Sequence, residues 1–146
     1  MIMASDEREA QALIAALNLQ PHPEGGWYRE TWRAAAKPGE RAAGTTILFL
    51  LEAHQSSHWH RVDAVEHWFW HAGAPLTLSI APQGGQVTEH VLGADIGIGQ
   101  MPQALVPAHH WQAAVPASGW VLASCTVIPG FDFAGFTLAP PGWTPA

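Results

Sequence analysis

After residue 20, apolar residues in this chain recur with the period of a β-strand, in short runs closed off by glycine and proline. This pattern constrains the fold more than any other feature. Short strands that each bury one face must pair into a closed barrel or two stacked sheets. No strand is followed by a long helical pattern, so a nucleotide-binding α/β unit is disfavoured. Gly93-x-x-x-Gly97-x-Gly99 lacks the helix and the Lys-Ser/Thr that would hold phosphate.

One helix is expected first, over about residues 6–17. Ala10, Leu13, Ile14 and Leu17 have helical spacing, with Asp6 and Glu9 as a capping box, Ser5 as a rival cap and Asn18 as the exit. Pro21-His22-Pro23-Glu24-Gly25-Gly26 cannot continue a helix. Strands are expected at Trp27–Arg33, Thr45–Ala53, Val65–His71, Leu76–Ile80, Val87–Leu92, Gln103–Val106, Trp111–Val115, Trp120–Ile128 and Phe131–Leu138. Pro140 to Ala146 reads as a surface arm. No repeat or second domain is visible, so residues 1–146 are expected to form one domain with a core over about 19–139.

Composition narrows the partners. Only 12% of residues are charged against 48% hydrophobic, about half the usual charge of a soluble domain. So poorly hydrated a surface is expected to be covered in part by a second copy, as a homodimer. Six Lys and Arg against a net charge of -6 argue against a nucleic-acid track. No run reaches membrane-spanning length and no secretory signal opens the chain, so a cytoplasmic protein is expected. The lone Cys125 lies in an apolar run and reads as a small buried hydrophobe.

The chemistry is concentrated in His58-Trp59-His60, Glu66 and Gly73. In an extended segment His58 and His60 point to the same side. Counting back from Gly73 places Glu66, Trp68 and Trp70 on one face and His67 and His71 on the other, so two indoles are expected to floor a cavity that carries a carboxylate. Two imidazoles and a carboxylate suit Fe, Mn, Zn or Ni. They equally suit a metal-free acid–base pocket, or strand-end histidines bonded to backbone and water. In Val106-Pro-Ala-His109-His110-Trp111-Gln112, His110 and Gln112 share a face and can look into the same space.

These segments resemble a known family. His58-x-His60, Glu66 and Gly73 look like the first cupin motif, and Gly99 through Pro107 to Gln112 like a degraded second one. Leu19 to Glu30, Ser57 to Val62, Glu66 to Gly73 and Cys125 to Phe133 are similar to Cupin_5 (DUF985), across about residues 10–139. The resemblance implies an all-β, double-stranded β-helix (cupin jelly roll), commonly a dimer, related in fold to nucleotide-sugar epimerases, germins and seed storage proteins. It implies His58, His60, Glu66 and Gln112 as the metal set, although Gln112 stands where metal-binding cupins have histidine and the carboxylate comes later than usual. It also marks Tyr28, Glu30 and Arg61, and its usual glycine is replaced by His109, which would carry strain at positive φ.

Three functions remain open at this level. One is an enzyme, an epimerase or isomerase acting through His60, Glu66 and Tyr28 on a sugar-like molecule, or a metal-dependent oxygenase. A second is a non-catalytic binder of a small molecule held by Glu30, Trp68, Trp70, His110 and Gln112. A third is a structural dimer with a vestigial pocket.

Overall fold

The computed structural model describes residues 5–145. Helix α1 (Ser5–Ala16) ends where Asn18 turns to φ 54°. Leu19 N–H then donates to Ile14 O and Asn18 N–H to Ala15 O, which closes the orphan carbonyls in a Schellman pattern. The expected capping box is not used as one. Asp6 lies within the helix and accepts the Trp120 backbone N–H, while Glu9 accepts the Trp120 indole N–H. These acids fasten the helix to the sheet.

Eleven strands follow: β1 (Gln20–Pro21), β2 (Trp27–Arg33), β3 (Thr45–Leu51), β4 (Ser57–Val62), β5 (Val65–Gly73), β6 (Leu76–Ala81), β7 (Thr88–Leu92), β8 (Gln103–Val106), β9 (Trp111–Pro116), β10 (Val121–Ile128) and β11 (Phe136–Leu138). They form two antiparallel sheets, in the orders β1-β2-β3-β10-β5-β8 and β11-β4-β9-β6-β7. This is the expected jelly roll. Between the sheets lie Phe49, Trp68, Leu76, Leu78, Leu92 and Val121. The helix covers the outer face of the six-stranded sheet through Ala10, Ile14 and Leu19 on Leu50. β3 is thus covered on both faces, which is why its sequence is continuously apolar from Ile47 to Leu51.

The strand expected over Phe131–Leu138 is shorter. A 3-10 turn at Phe133–Gly135, capped by the Asp132 carboxylate, precedes β11. The tail packs as well as ends the chain: Trp143 meets Trp111 at 4.5 Å and Trp59 at 6.3 Å between ring centroids. Arg61, which the resemblance marks, stands outside the cavity lining. It lies 5.0 Å over the Trp111 ring and donates to Gln83. Among the described residues no helix is long and apolar enough to cross a membrane.

Candidate functional site

A cavity of about 440 Å³ opens between the sheets, beside β2 and the Phe131–Phe136 segment. Its lining includes His22, Glu24, Tyr28, His60, Glu66 and Phe136. The first two come from the turn that joins β1 to β2. His22 N–H donates to Gly26 O and Gly25 N–H to His22 O, a tight loop that needs Gly25 at φ 108° and Gly26 at φ 81°. A Cβ on Gly25 would run into the Ser56 carbonyl. The His58 N–H donates to Glu24 O and ties the turn to β4. The Pro-Gly segment read from sequence as a helix stop therefore carries two of the innermost polar residues. A histidine and a glutamate inside a glycine-bounded turn were the available signal.

β4 does not present its histidines together. Ser57 pairs with Ala114 and His60 with Gln112, so His58 and Trp59 together oppose the single residue Ala113. This bulge breaks the expected shared parity. Ser57, His60 and Val62 are buried, whereas His58 is only half-buried and its Nε2 meets the Pro140 carbonyl at 2.9 Å.

The neighbours of the two buried imidazoles fix their tautomers. His60 Nδ1 lies 2.7 Å from the His58 carbonyl, which can only accept, so Nδ1 carries the proton and Nε2 keeps its lone pair. That Nε2 faces Glu24 Oε2 at 3.3 Å. His22 Nδ1 accepts the Glu24 backbone N–H at 3.1 Å, so its proton is on Nε2. Glu24 Oε1 lies 3.2 Å from His22 Nδ1, and Oε2 also accepts the Ser57 hydroxyl.

Burial sets the protonation. It drives Glu24 up to about 8, against a downward pull from the Ser57 hydrogen bond. It raises Glu66 to about 7, with His60 pulling down and Glu24 pushing up. It lowers His22 to about 4, helped by His60. His60 also falls, through burial, against the opposing pull of Glu66. Near neutral pH these imidazoles and the Glu24 carboxyl are therefore neutral, with Glu24 as the acid and His60 Nε2 as the base.

Glu66 is held from behind. The Trp68 indole donates to Gln112 Oε1 at 2.8 Å, and Gln112 Nε2 donates to Glu66 Oε1 at 2.7 Å. An indole N–H cannot accept, so it fixes the amide orientation. Cys125, buried as expected, also lends its thiol to Glu66.

Of the residues singled out from sequence, Tyr28, Glu30, His60 and Glu66 line the cavity. Gln112 and Trp68 stand behind Glu66 and outside the lining. The expected indole floor is corrected: Trp68 and Trp70 pack into the core, and the Trp70 indole donates to Ala74 O. His110 is also outside the lining, with Nδ1 3.3 Å from the Ala108 carbonyl. His109 does adopt φ 67°. The set His58, His60, Glu66 and Gln112 does not fit a metal. His58 is turned to the tail, and the Gln112 oxygen is taken by Trp68 while its N–H₂ faces Glu66. Among the described residues no group of three or more His, Cys, Asp or Glu is placed to hold a metal ion.

A family model described as Cupin superfamily (DUF985), Cupin_5, matches residues 11–139. Two solved structures are similar over most of both chains. A hypothetical protein from Leishmania major has 33% identity and a TM-score of 0.81, covering 89% of this chain and 86% of its own. A Shewanella oneidensis protein has 36% identity and a TM-score of 0.83, covering 94% and 85%. An oxalate decarboxylase of Bacillus subtilis matches at 12% identity with a TM-score of 0.63, over 82% of this chain and 29% of its own, and shows the fold alone. No curated protein matches.

Proposed function

The chain belongs to the Cupin_5 (DUF985) family of the cupin superfamily, and we propose that its cavity moves protons on a small molecule, as an isomerase or epimerase of hydroxycarbonyl compounds. One observation carries this reading: an unprotonated His60 Nε2 sits 3.3 Å from the carboxyl of Glu24, which keeps its proton up to about pH 8. An unprotonated base beside a protonated acid is what enolisation needs.

In the proposed step His60 Nε2 takes the proton from the carbon beside a carbonyl. Glu24 gives its proton to the carbonyl oxygen, so the C–H electron pair becomes the C=C bond of a neutral enediol. Return of a proton from imidazolium to the neighbouring carbon, with recovery of the hydroxyl proton by Glu24, completes an isomerisation. Glu66 faces the imidazolium formed in between and steadies it. Gln112 and Trp68 act as positioning residues for Glu66. Tyr28, whose ring meets His22 edge-on at 4.5 Å, forms the wall beside the acid.

Incubation with dihydroxyacetone or free aldoses in deuterium oxide tests the reading. Carbon-bound deuterium should accumulate above the buffer rate and be lost in His60→Ala. Binding without exchange, unchanged by that substitution, would instead favour a small-ligand binding protein.

A further inference from the structure

Two arginines, Arg33 and Arg41, stand at the cavity mouth and would ordinarily be read as a clamp for phosphate or carboxylate. Three of the five N–H donors of each are already committed. Arg41 forks onto Asp63 at 2.7 and 2.9 Å, and its Nε donates to Gly130 O at 2.7 Å. Arg33 holds Glu30 through Nε at 3.2 Å and through a terminal nitrogen at 2.7 Å, and donates to Phe131 O at 3.0 Å. Both guanidinium groups thus pin the 130–131 backbone along the mouth.

The remaining lining charges are Glu40 and Asp132. With Glu30 they set three carboxylates against two guanidinium groups, and Asp63 behind Arg41 adds a fourth. The mouth is net negative on a chain of net charge -6. Below it lie two carboxyl groups that share buried space with imidazoles, where another negative charge has no counter-ion. The floor instead offers uncharged donors and acceptors in close alternation: the Glu24 carboxyl, the His22 Nε2 proton and the His60 lone pair. Val62, Val127 and Phe136 provide apolar wall between floor and mouth.

From this arrangement we infer that the cavity takes an uncharged polyhydroxy carbonyl compound and excludes phosphorylated, nucleotide-linked and carboxylate compounds. The inference rests on the proton-transfer reading of the floor and narrows it to free rather than anionic substrates. A focused negative potential at the mouth acts before binding, by lowering the local concentration of anions.

The test uses the intact protein and three nitroxide probes sharing one ring: neutral, amino-substituted and carboxylate-substituted. The cationic probe should relax the backbone amide protons of Ala42, Val62 and Phe133 about twofold or more faster than the anionic one, with the gap closing as salt rises. Glu40→Gln with Asp132→Asn leaves two carboxylates against two guanidinium groups and should close the gap seen in the native protein, with asparagine keeping the side-chain acceptor for Ala134 N–H. Inorganic phosphate should leave the His22 and His60 imidazole signals unmoved. Equal or reversed probe order, or saturable phosphate shifts at those imidazoles, would overturn the inference. Deuterium exchange separates the two readings: an exchanging enzyme with an anion-attracting mouth sinks only this one, and a silent protein with an anion-repelling mouth sinks only the other.

Discussion

Glu24 Oε2 and His60 Nε2 face each other at 3.3 Å, and burial holds both groups uncharged near neutral pH. Both are buried, so the pair has a cost that depends on pH.

The first prediction concerns that cost. Folded Glu24 and Glu66 bind protons more tightly than ordinary carboxyls at 4.5, so the stability they contribute is complete below pH 4.5 and is lost as pH rises through about 7 and 8. Folded His22 binds its proton more weakly than an ordinary imidazole at 6.5, and His60 shifts the same way. Their contribution is complete above pH 6.5, and that of His22 is lost as pH falls through about 4. Between 4.5 and 6.5 the two effects oppose each other; above 6.5 only the glutamates act. The thermal midpoint should therefore decline from pH 6.5 to about 8, and Glu24→Gln should flatten that decline. A midpoint that rises across the same interval would contradict the protonation states assigned here.

The second prediction concerns the support behind Glu66. In Gln112→Leu the Trp68 indole N–H and Glu66 Oε1 both lose their partner in a buried setting. Each buried group left unpaired costs roughly 1–3 kcal/mol. For the two groups together denaturant unfolding should show a loss of about 2–6 kcal/mol, with a further rise in the Glu66 pKa because a hydrogen bond to its carboxylate is gone. A loss below about 0.5 kcal/mol would mean that the chain Trp68–Gln112–Glu66 is not formed in solution.

Much of the fold was legible because strand burial writes itself into alternation. Trp27–Arg33 and Gln103–Val106 appear with their expected bounds, and Asn18 stops the helix at positive φ. The site was legible only in part. His60 and Glu66 line the cavity, but one extra residue between Ser57 and His60 rotates His58 outward, and parity counting has no means of seeing a bulge. His22 and Glu24 were hidden for a different reason. A Pro-Gly turn has no period from which to infer a facing direction, and its approach to β4 rests on long-range contacts with Ser56, Ser57 and His58. Trp68 and Trp70 do lie on the buried side with Glu66, but parity gives the face and not the depth, and they pack as core.

The third prediction separates the two histidines of β4. The half-buried His58 ring meets the Pro140 carbonyl through Nε2 and lies outside the cavity lining, so His58→Ala should cost about 1 kcal/mol or less and leave deuterium exchange within about twofold of the native rate. His60→Ala removes the proposed base and should lower exchange by about 10²- to 10⁴-fold. Equal losses in both variants would restore a paired role for His58 and count against the bulge.

The fourth prediction compares two glycines that share a conformation but not a setting. Gly25 and Gly39 both have positive φ, at 108° and 81°. Gly39 has open space where a Cβ would stand, so Gly39→Ala should cost only the backbone term, about 1 kcal/mol, with exchange unchanged. At Gly25 the Cβ meets the Ser56 carbonyl, a backbone atom that cannot swing away. Gly25→Ala must push the turn off β4, and Glu24 moves with it, because the Glu24 carbonyl is the acceptor for His58 N–H. Proton transfer depends on Glu24 lying within hydrogen-bond reach of His60, so exchange should fall by more than the stability loss accounts for. Folded Gly25→Ala protein, confirmed by its far-ultraviolet spectrum, that exchanges at the native rate would remove Glu24 from the acid's role and leave that role to Glu66 or Tyr28.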